Sequence, residues 1–577
     1  MYTETPFSLW RKTFIRSHEP PALAGDPPSQ QHSSTRDGSN HQRNRHSKGM
    51  IRSDSPEVVE QLFKTTSNGI KLEPQPTDDP SDPLNWHLDK KLATLAVISL
   101  AALAGGAVGL CNQFSTNVQA KIYHKTPFEL SYSLSAAVAG LATGPIVWLP
   151  LANYIGKTSV LFWTQLASLA CVAWSSAMTG PHNYIPFVLS KWLGATFASA
   201  SFCLGGGIVI EIFYLHQRGR AFATYTACFI LGAASGGTLS GFIVETQPWP
   251  VEFYWIIPLL GISAILIFLF LDDSTYDRTG VVGIVTRRTP GLIAKERVAT
   301  LLPGHRILSE GYKRQRNRFY DSALIAIQPI TLFAGAFVCI TFGWSVPVQN
   351  LIGIFLQMPK EHGGYGFSPL QVSCFSFISW ISVISAEVYG ILLNDRVPLA
   401  VAKRRGIWRP EFRLYPLLLV PLAIVPCSLG LFGAALQEGL SYWAVAFSFF
   451  GINFADAVLL PVVLNYLSEG FGRKFAGEVF VVVNLYRFLL GALVPFFFTG
   501  WTNAIGISWT FGTMAFLSLV GFACTGVLWV YGDRLRGMTA ERLKGEQGED
   551  GDRVVVGRRS NDDEEEVKGI DVHVGKK

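Results

Sequence analysis

The chain has 577 residues, of which 49% are hydrophobic and only 16% charged, against about 25% charged in soluble domains. That balance excludes a protein soluble throughout its length. The formal charge of +6 is small for the length and informative only through where the charges sit.

Residues 1–90 are polar and rich in Pro, Ser, Asp and His, with no early apolar segment and no visible cleavable signal peptide. They read as a disordered tail held in the cytosol. Twelve apolar stretches follow, each near the ~20 helical residues that cross a hydrocarbon core of roughly 30 Å. Six occupy 91–111, 130–152, 158–178, 184–208, 221–243 and 253–271; six more occupy 325–350, 371–393, 413–435, 441–467, 475–499 and 507–531. The pattern predicts an all-α integral membrane protein with 12 transmembrane helices. The eight cysteines lie in or beside these stretches without metal-ligand or C-x-x-C spacing, so neither a disulfide framework nor a metal is expected. Residues 532–577 form a second polar tail, and its run Asp562-Asp563-Glu564-Glu565-Glu566 reads as a solvated terminus.

The loops set the orientation. One set carries Lys157, Arg218, Arg220, the basic residues from Arg278 to Arg318, Arg396, Lys403, Arg404, Arg405, Arg409, Arg473 and Lys474. The opposite set carries only Lys121, Lys125 and Lys360. Short basic loops stay in the cytosol, which places the first set and both tails inside, with the plasma membrane as the expected location. The one long internal loop, 272–324, divides the chain into bundles at 91–271 and 325–531. Six spans, a basic linker and six spans suggest halves related by a pseudo-twofold axis, with a cavity between them.

Asp82-Pro83-Leu84-Asn85-Trp86 with Lys90-Lys91 resembles the entry motif of fungal major facilitator superfamily transporters, most closely the 12-spanner drug:proton antiporter branch. Pro150–Thr158 resembles that family's G-x-L-A-D-R-x-G-R-R loop, with Asn153 for the acid and Tyr154 for the first basic residue, and with Gly156 and Lys157 retained. Neutral Asn153 cannot make the charge contacts that this loop's acid normally makes. Glu211 with Arg218-Gly219-Arg220 resembles the segment joining spans 4 and 5. Gly232, Gly236, Gly237 and Gly241 resemble the antiporter signature of span 5, with Gly237 at its proline and Ser240 at a glycine. Lys191 stands where the family usually carries a membrane-embedded arginine. Asn394-Asp395-Arg396 and Pro410–Leu414 look like the loop after span 8 in the polyamine- and histidinol-type subgroup. The resemblance covers about residues 80–535 and implies the major facilitator fold, two pseudo-symmetric six-helix bundles. It further implies that spans 1, 4, 7 and 10 line the cavity, that 2, 5, 8 and 11 form the interface, and that 3, 6, 9 and 12 face lipid.

An ionisable side chain deep in a span costs several kcal/mol unless it faces water or a partner. Four lie well inside: Lys191, Glu387, Asp456 and Arg487. Lys191 reads either as the cationic partner of a carboxylate in proton coupling or as a snorkelling anchor. Asp456 and Arg487 read as a structural pair across helices, or as a site where a proton or a cationic substrate competes for Asp456. Glu387 reads as a second proton-accepting carboxylate. Asn112, Gln113, Asn484 and Tyr486 complete the candidate substrate site. Glu211 and Glu469, at equivalent ends of spans 4 and 10, read either as interfacial charges or as an inner gate with Arg218 or Arg473. The span 5 glycines suggest close helix packing at a hinge or plain packing.

No phosphate loop of the G-x-x-x-x-G-K-[ST] kind and no paired-histidine metal motif appears. The expectation is a transporter and no enzyme, with no cofactor beyond a proton gradient. The expected partners are a small-molecule substrate, protons and the lipid bilayer, with no nucleic acid, in a monomer. Proton-coupled antiport exporting an amphipathic or cationic organic compound is the leading expectation. Uptake of a polyamine-like or other small nutrient is the second, and a non-transporting membrane sensor the third.

Overall fold

A computed structural model describes residues 75–77, 82–274, 301, 321–362, 364–394, 396–405, 409–471 and 475–547. Those residues are helical or loop, and no strand occurs among them. Twelve helices are long and apolar enough to cross a membrane. In the first half they are α1 (Leu88–Leu110), α2 (Pro127–Ile155), α3 (Lys157–Ala177), α4 (Tyr184–Ile212), α5 (Leu215–Thr246) and α6 (Trp249–Phe270). In the second they are α7 (Pro329–Gln357), α8 (Pro369–Leu393), α9 (Pro410–Gln437), α10 (Tyr442–Phe471), α11 (Ala476–Ile505) and α12 (Ile507–Gln547). The sequence-based spans match these in number and order.

The starts of α2 and α8 are chemically marked. Thr126 with Glu129, and Ser368 with Gln371, form reciprocal capping boxes, each followed by a proline that has no amide to satisfy. Between α2 and α3 the chain turns on Gly156, whose φ of 103° is strained for any side chain. α7 breaks at Trp344 and continues to Gln357. Gln349 and Asn350 therefore lie within it and do not close it, as the span expected at 325–350 implied.

Packing repeats between the halves. α1 lies on α5 as α7 lies on α11; α2 lies on α4 as α8 lies on α10; α3 lies on α6 and α4 as α9 lies on α12 and α10. The halves meet along two seams, α5 with α8 and α2 with α11. Ile381, Ile384, Val388 and Ile391 of α8 form an exposed apolar stripe, the expected character of a face turned to lipid.

The tails depart from expectation in one respect each. Residues 82–90, expected in a disordered tail, are built onto the bundle. Asp82 caps the turn at Leu84, whose carbonyl accepts from Lys91 Nζ at 2.8 Å and from Tyr214 Oη at 3.1 Å. Lys90 pairs with Asp272 at 2.6 Å and stacks on Trp86. At the other end α12 continues to Gln547, past the boundary expected at 531. The linker's basic residues from Arg278 to Arg318, the acidic run at 562–566, Asp395, Arg473 and Lys474 lie outside the described residues. The end of the bundle that carries the α2–α3 and α4–α5 turns is called the basic end below.

Candidate functional site

Seven helices from both halves enclose a cavity with about 880 Å³ of atom-free space, part of it open to solvent. Its wall is mostly apolar and aromatic, with Phe229, Phe342, Phe449 and Phe488 among the lining residues. The polar groups are few: Gln113 from the turn after α1, Gln349 and Asn350 from α7, Ser376 and Ser379 from α8, Asn453 and Asp456 from α10, and Arg487 from α11. An apolar chamber with a handful of fixed polar groups is the usual form of a small-molecule site.

Three sequence-predicted residues, Gln113, Asp456 and Arg487, thus come together. Asp456 accepts from Gln349 Nε2 at 3.4 Å and lies against the Ser345 hydroxyl. The Asp456–Arg487 pair is electrostatic across a gap, with no direct ion pair. Phenylalanine rings surround the guanidinium: Phe342 at 4.0 Å, Phe488 at 4.7 Å, Phe229 at 5.7 Å and Phe202 at 5.8 Å. Cation–π attraction holds the charge away from water, but Nε and Nη1 have no hydrogen-bond acceptor.

The other candidates are directed elsewhere. Asn484 donates to the Leu141 carbonyl at 2.6 Å and ties α11 to α2. Tyr486 lies over Gly335 and donates to the Ala326 carbonyl at 3.1 Å. Neither lines the cavity: Asn484, three residues before Arg487, is held by α2, and Tyr486, adjacent to Arg487, is turned about 100° away around the helix. Asn112 is fully buried against Gln119 and Ser133. Glu387 stands one turn beyond Val383 on the helix face that lines the chamber, towards the basic end, within electrostatic reach of Cys228 on α5. A second pocket begins beyond it, lined by Gly390, Asn394, Arg220 and Arg413. Of the spans expected to build the wall, α1, α7 and α10 line the chamber and α4 contributes no lining residue; α2, α5, α8 and α11 line it as well.

Lys191 neither snorkels nor reaches the cavity. It is 2% exposed, and its Nζ donates to the Val108 carbonyl and to Cys111 Sγ, both at 2.9 Å. It faces an acid absent from the sequence reading, Glu252, which is fully buried and accepts from Ser115 Oγ at 2.9 Å and Gln119 Nε2 at 3.0 Å. Glu252 falls one residue before the span expected at 253–271. Its place among Trp249, Phe253 and Trp255 was the available signal, since an acid amid apolar residues at a helix start needs a partner.

Contacts between the halves lie at both ends of the cavity. Away from the basic end, Gln113 Nε2 donates to the Gln349 carbonyl, Gln357 Nε2 to the Phe114 carbonyl at 3.0 Å, and Asn117 Nδ2 to Gln357 Oε1 at 3.1 Å. Towards the basic end, Phe480 of α11 packs on Phe222, Phe202 and Gly206 of the first half. Deeper at that end, Lys157 pairs with Glu211, which also accepts from Ser274 at 2.5 Å. Arg413 pairs with Glu469, and Arg218 stands in the field of both. The partner of Glu211 is thus Lys157, where the sequence pattern suggested Arg218. Arg218 instead faces the second half. Asn153 lies half-buried just before the Gly156 turn.

The span 5 glycines do separate jobs. Gly232 and Gly236 lie against the backbone of α1, Gly237 against the Gln113 side chain, and Gly241 against Pro369 and Ser373 of α8. A Cβ at Gly236 would sit 2.6 Å from the Ala107 carbonyl oxygen. Gly236→Val is therefore expected to push α1 off α5, costing about 1–3 kcal/mol. The check is thermal unfolding of the purified protein; an unshifted transition means the seam can give.

The family model of the Major Facilitator Superfamily matches residues 95–495. Among similar proteins, the major facilitator-type transporter sorT of Penicillium rubens is 27% identical over 475 residues, 80% of this chain and 86% of that protein. The MFS-type efflux pump MFS2 of Trichophyton rubrum is 24% identical over 498 residues, 84% of this chain and 79% of that protein. The solved structure of the proton:xylose symporter XylE superposes with a TM-score of 0.55 at 13% identity, covering 77% of this chain and 96% of that one.

Proposed function

This chain belongs to the Major Facilitator Superfamily, and from that premise we propose that it exports a small amphipathic organic compound, such as a drug or secondary metabolite, in exchange for protons. It is a transporter of small molecules and not an enzyme. The observation that carries the export reading is the chamber between the halves, apolar for most of its wall and charged only at Asp456 and Arg487. Such a chamber suits an organic frame with few polar groups. Curated relatives that bear the names efflux pump and multidrug transporter support the same direction.

Coupling is assigned to the carboxylates at Asp456 and Glu387. Asp456 touches the substrate space directly, and Glu387 lies between that space and the pocket at the basic end. The basic end faces the cytosol of a plasma-membrane protein, in keeping with the loop charges. Rocking of the halves about the α5–α8 and α2–α11 seams opens the chamber to one side at a time, breaking the glutamine contacts in one state and the Phe480 packing in the other. Uptake of a small nutrient is the second reading, favoured by Asn153 and Gly237 in place of the loop acid and the signature proline.

Reconstituted vesicles separate the two. The protein is expected to clear a fluorescent amphipathic dye from the compartment corresponding to the cytosol when the opposite compartment is acid. Accumulation under that gradient supports uptake, and indifference to its sign removes proton coupling.

A further inference from the structure

We propose that Arg487 is the anchor of the chamber for an electron-rich oxygen of the transported compound, a carbonyl, enol or carboxylate on an aromatic frame, and that cations are excluded. The inference rests on the reading of the chamber as the substrate site. It goes further in naming the chemistry that binds there.

The geometry of the guanidinium carries it. Arg487 is 3% exposed, and aromatic rings occupy its surroundings, the closest at 4.0 Å. Ring faces attract the cation but accept no directed N–H bond of ordinary strength, whereas a guanidinium presents its five donors at the edges, in its own plane. Two of its nitrogens, Nε and Nη1, have no acceptor, and the side chain lines the chamber. A buried donor left unmet is costly, so an acceptor entering that plane is favoured over any group that offers only donors.

Asp456 does not supply the missing acceptor. It lies within electrostatic range but makes no ion pair, and its own contacts are Gln349 and Ser345. A second group points the same way. The Asn350 side chain is fully buried in the chamber wall, and both its amide nitrogen and its amide oxygen lack partners. Asn350 adds a second unmet donor to the chamber wall, while the phenylalanines offer faces to a ring. An ammonium group would meet the guanidinium as a like charge in a medium of low dielectric, and the Asp456 carboxyl that could offset it is already engaged by Gln349 and Ser345. That sets aside the cationic cargo that the sequence left open.

The test uses the full-length protein in nanodiscs, at one pH and without a gradient. Three probes share one ring system: 2-naphthoate, 2-naphthamide and 2-naphthylmethylammonium. At least one of the two oxygen probes is expected to bind at least about tenfold tighter than the ammonium, and which of them does so tells an anionic from a neutral acceptor. Arg487→Gln is expected to erase that preference, and Arg487→Lys, which keeps the charge but not the fork, to reduce it. Equal binding of all three probes, no binding of any, or a preference that survives in Arg487→Gln overturns the proposal. If Arg487→Gln does not fold, Arg487→Lys decides: a reduced preference supports the proposal and an undiminished one overturns it. The oxygen preference without gradient-driven transport leaves the anchor standing and removes the export reading. Gradient-driven transport of the ammonium does the reverse.

Discussion

Replacing Asp456 with asparagine is expected to abolish dye clearance driven by a pH gradient, by at least tenfold, while dye exchange between two loaded compartments continues. The substitution keeps the side chain's shape and still lets the amide oxygen accept from Gln349, so the 3.4 Å contact across the chamber survives. What is removed is the capacity to exchange a proton in contact with the substrate space. Exchange of one dye molecule for another needs only the rocking motion, whereas net movement against a gradient needs the protonation change. Parallel measurements on Glu387→Gln apportion the coupling, because Glu387 is one turn outside the chamber. An Asp456→Asn protein that still concentrates dye in response to acid assigns coupling to Glu387 or to another group.

The second large effect is expected at the buried charges of the first half. Lys191→Met leaves Glu252 as a fully buried acid whose remaining contacts are Ser115 and Gln119. Glu252→Gln leaves the Lys191 ammonium with only a carbonyl and a thiol. The two groups interact electrostatically without a direct ion pair, and losing either is expected to cost about 1–3 kcal/mol, because the survivor keeps its desolvation penalty. Each single variant is expected to unfold at lower temperature, and the double variant to recover a large part of the loss. Additive losses in that double-mutant cycle would mean that the two charges do not interact. Since neither side chain lines the chamber, the loss should appear in thermal stability before it appears in dye selectivity.

The contrast between these two sites shows what could be read beforehand. Lys191 and Asp456 looked alike in the chain, each a lone charge deep in an apolar run. One proved to belong to a sealed cluster reaching α6, and the other to the shared chamber. Their different fates follow from how α4 and α10 are rotated against their neighbours. Asn484, Tyr486 and Arg487 make the same point within a single turn of α11. Arg487 faces the chamber, while Asn484 and Tyr486 bind carbonyls of α2 and of the segment before α7. Asn350, read as the end of a span, is a buried chamber group because α7 continues past the break at Trp344.

The amino-acid order by itself determined the number of membrane helices and their order along the chain. Both depend on a local requirement, about 20 apolar residues to cross the bilayer. Which polar side chains meet in the chamber was decided only by tertiary packing. Helices surrounded by lipid on one side and protein on the other are apolar over most of their circumference, so no stripe in the sequence marks the inward face. Rotation is set by close contacts such as Gly236 on Ala107 and Phe480 on Gly206, which join residues more than a hundred positions apart.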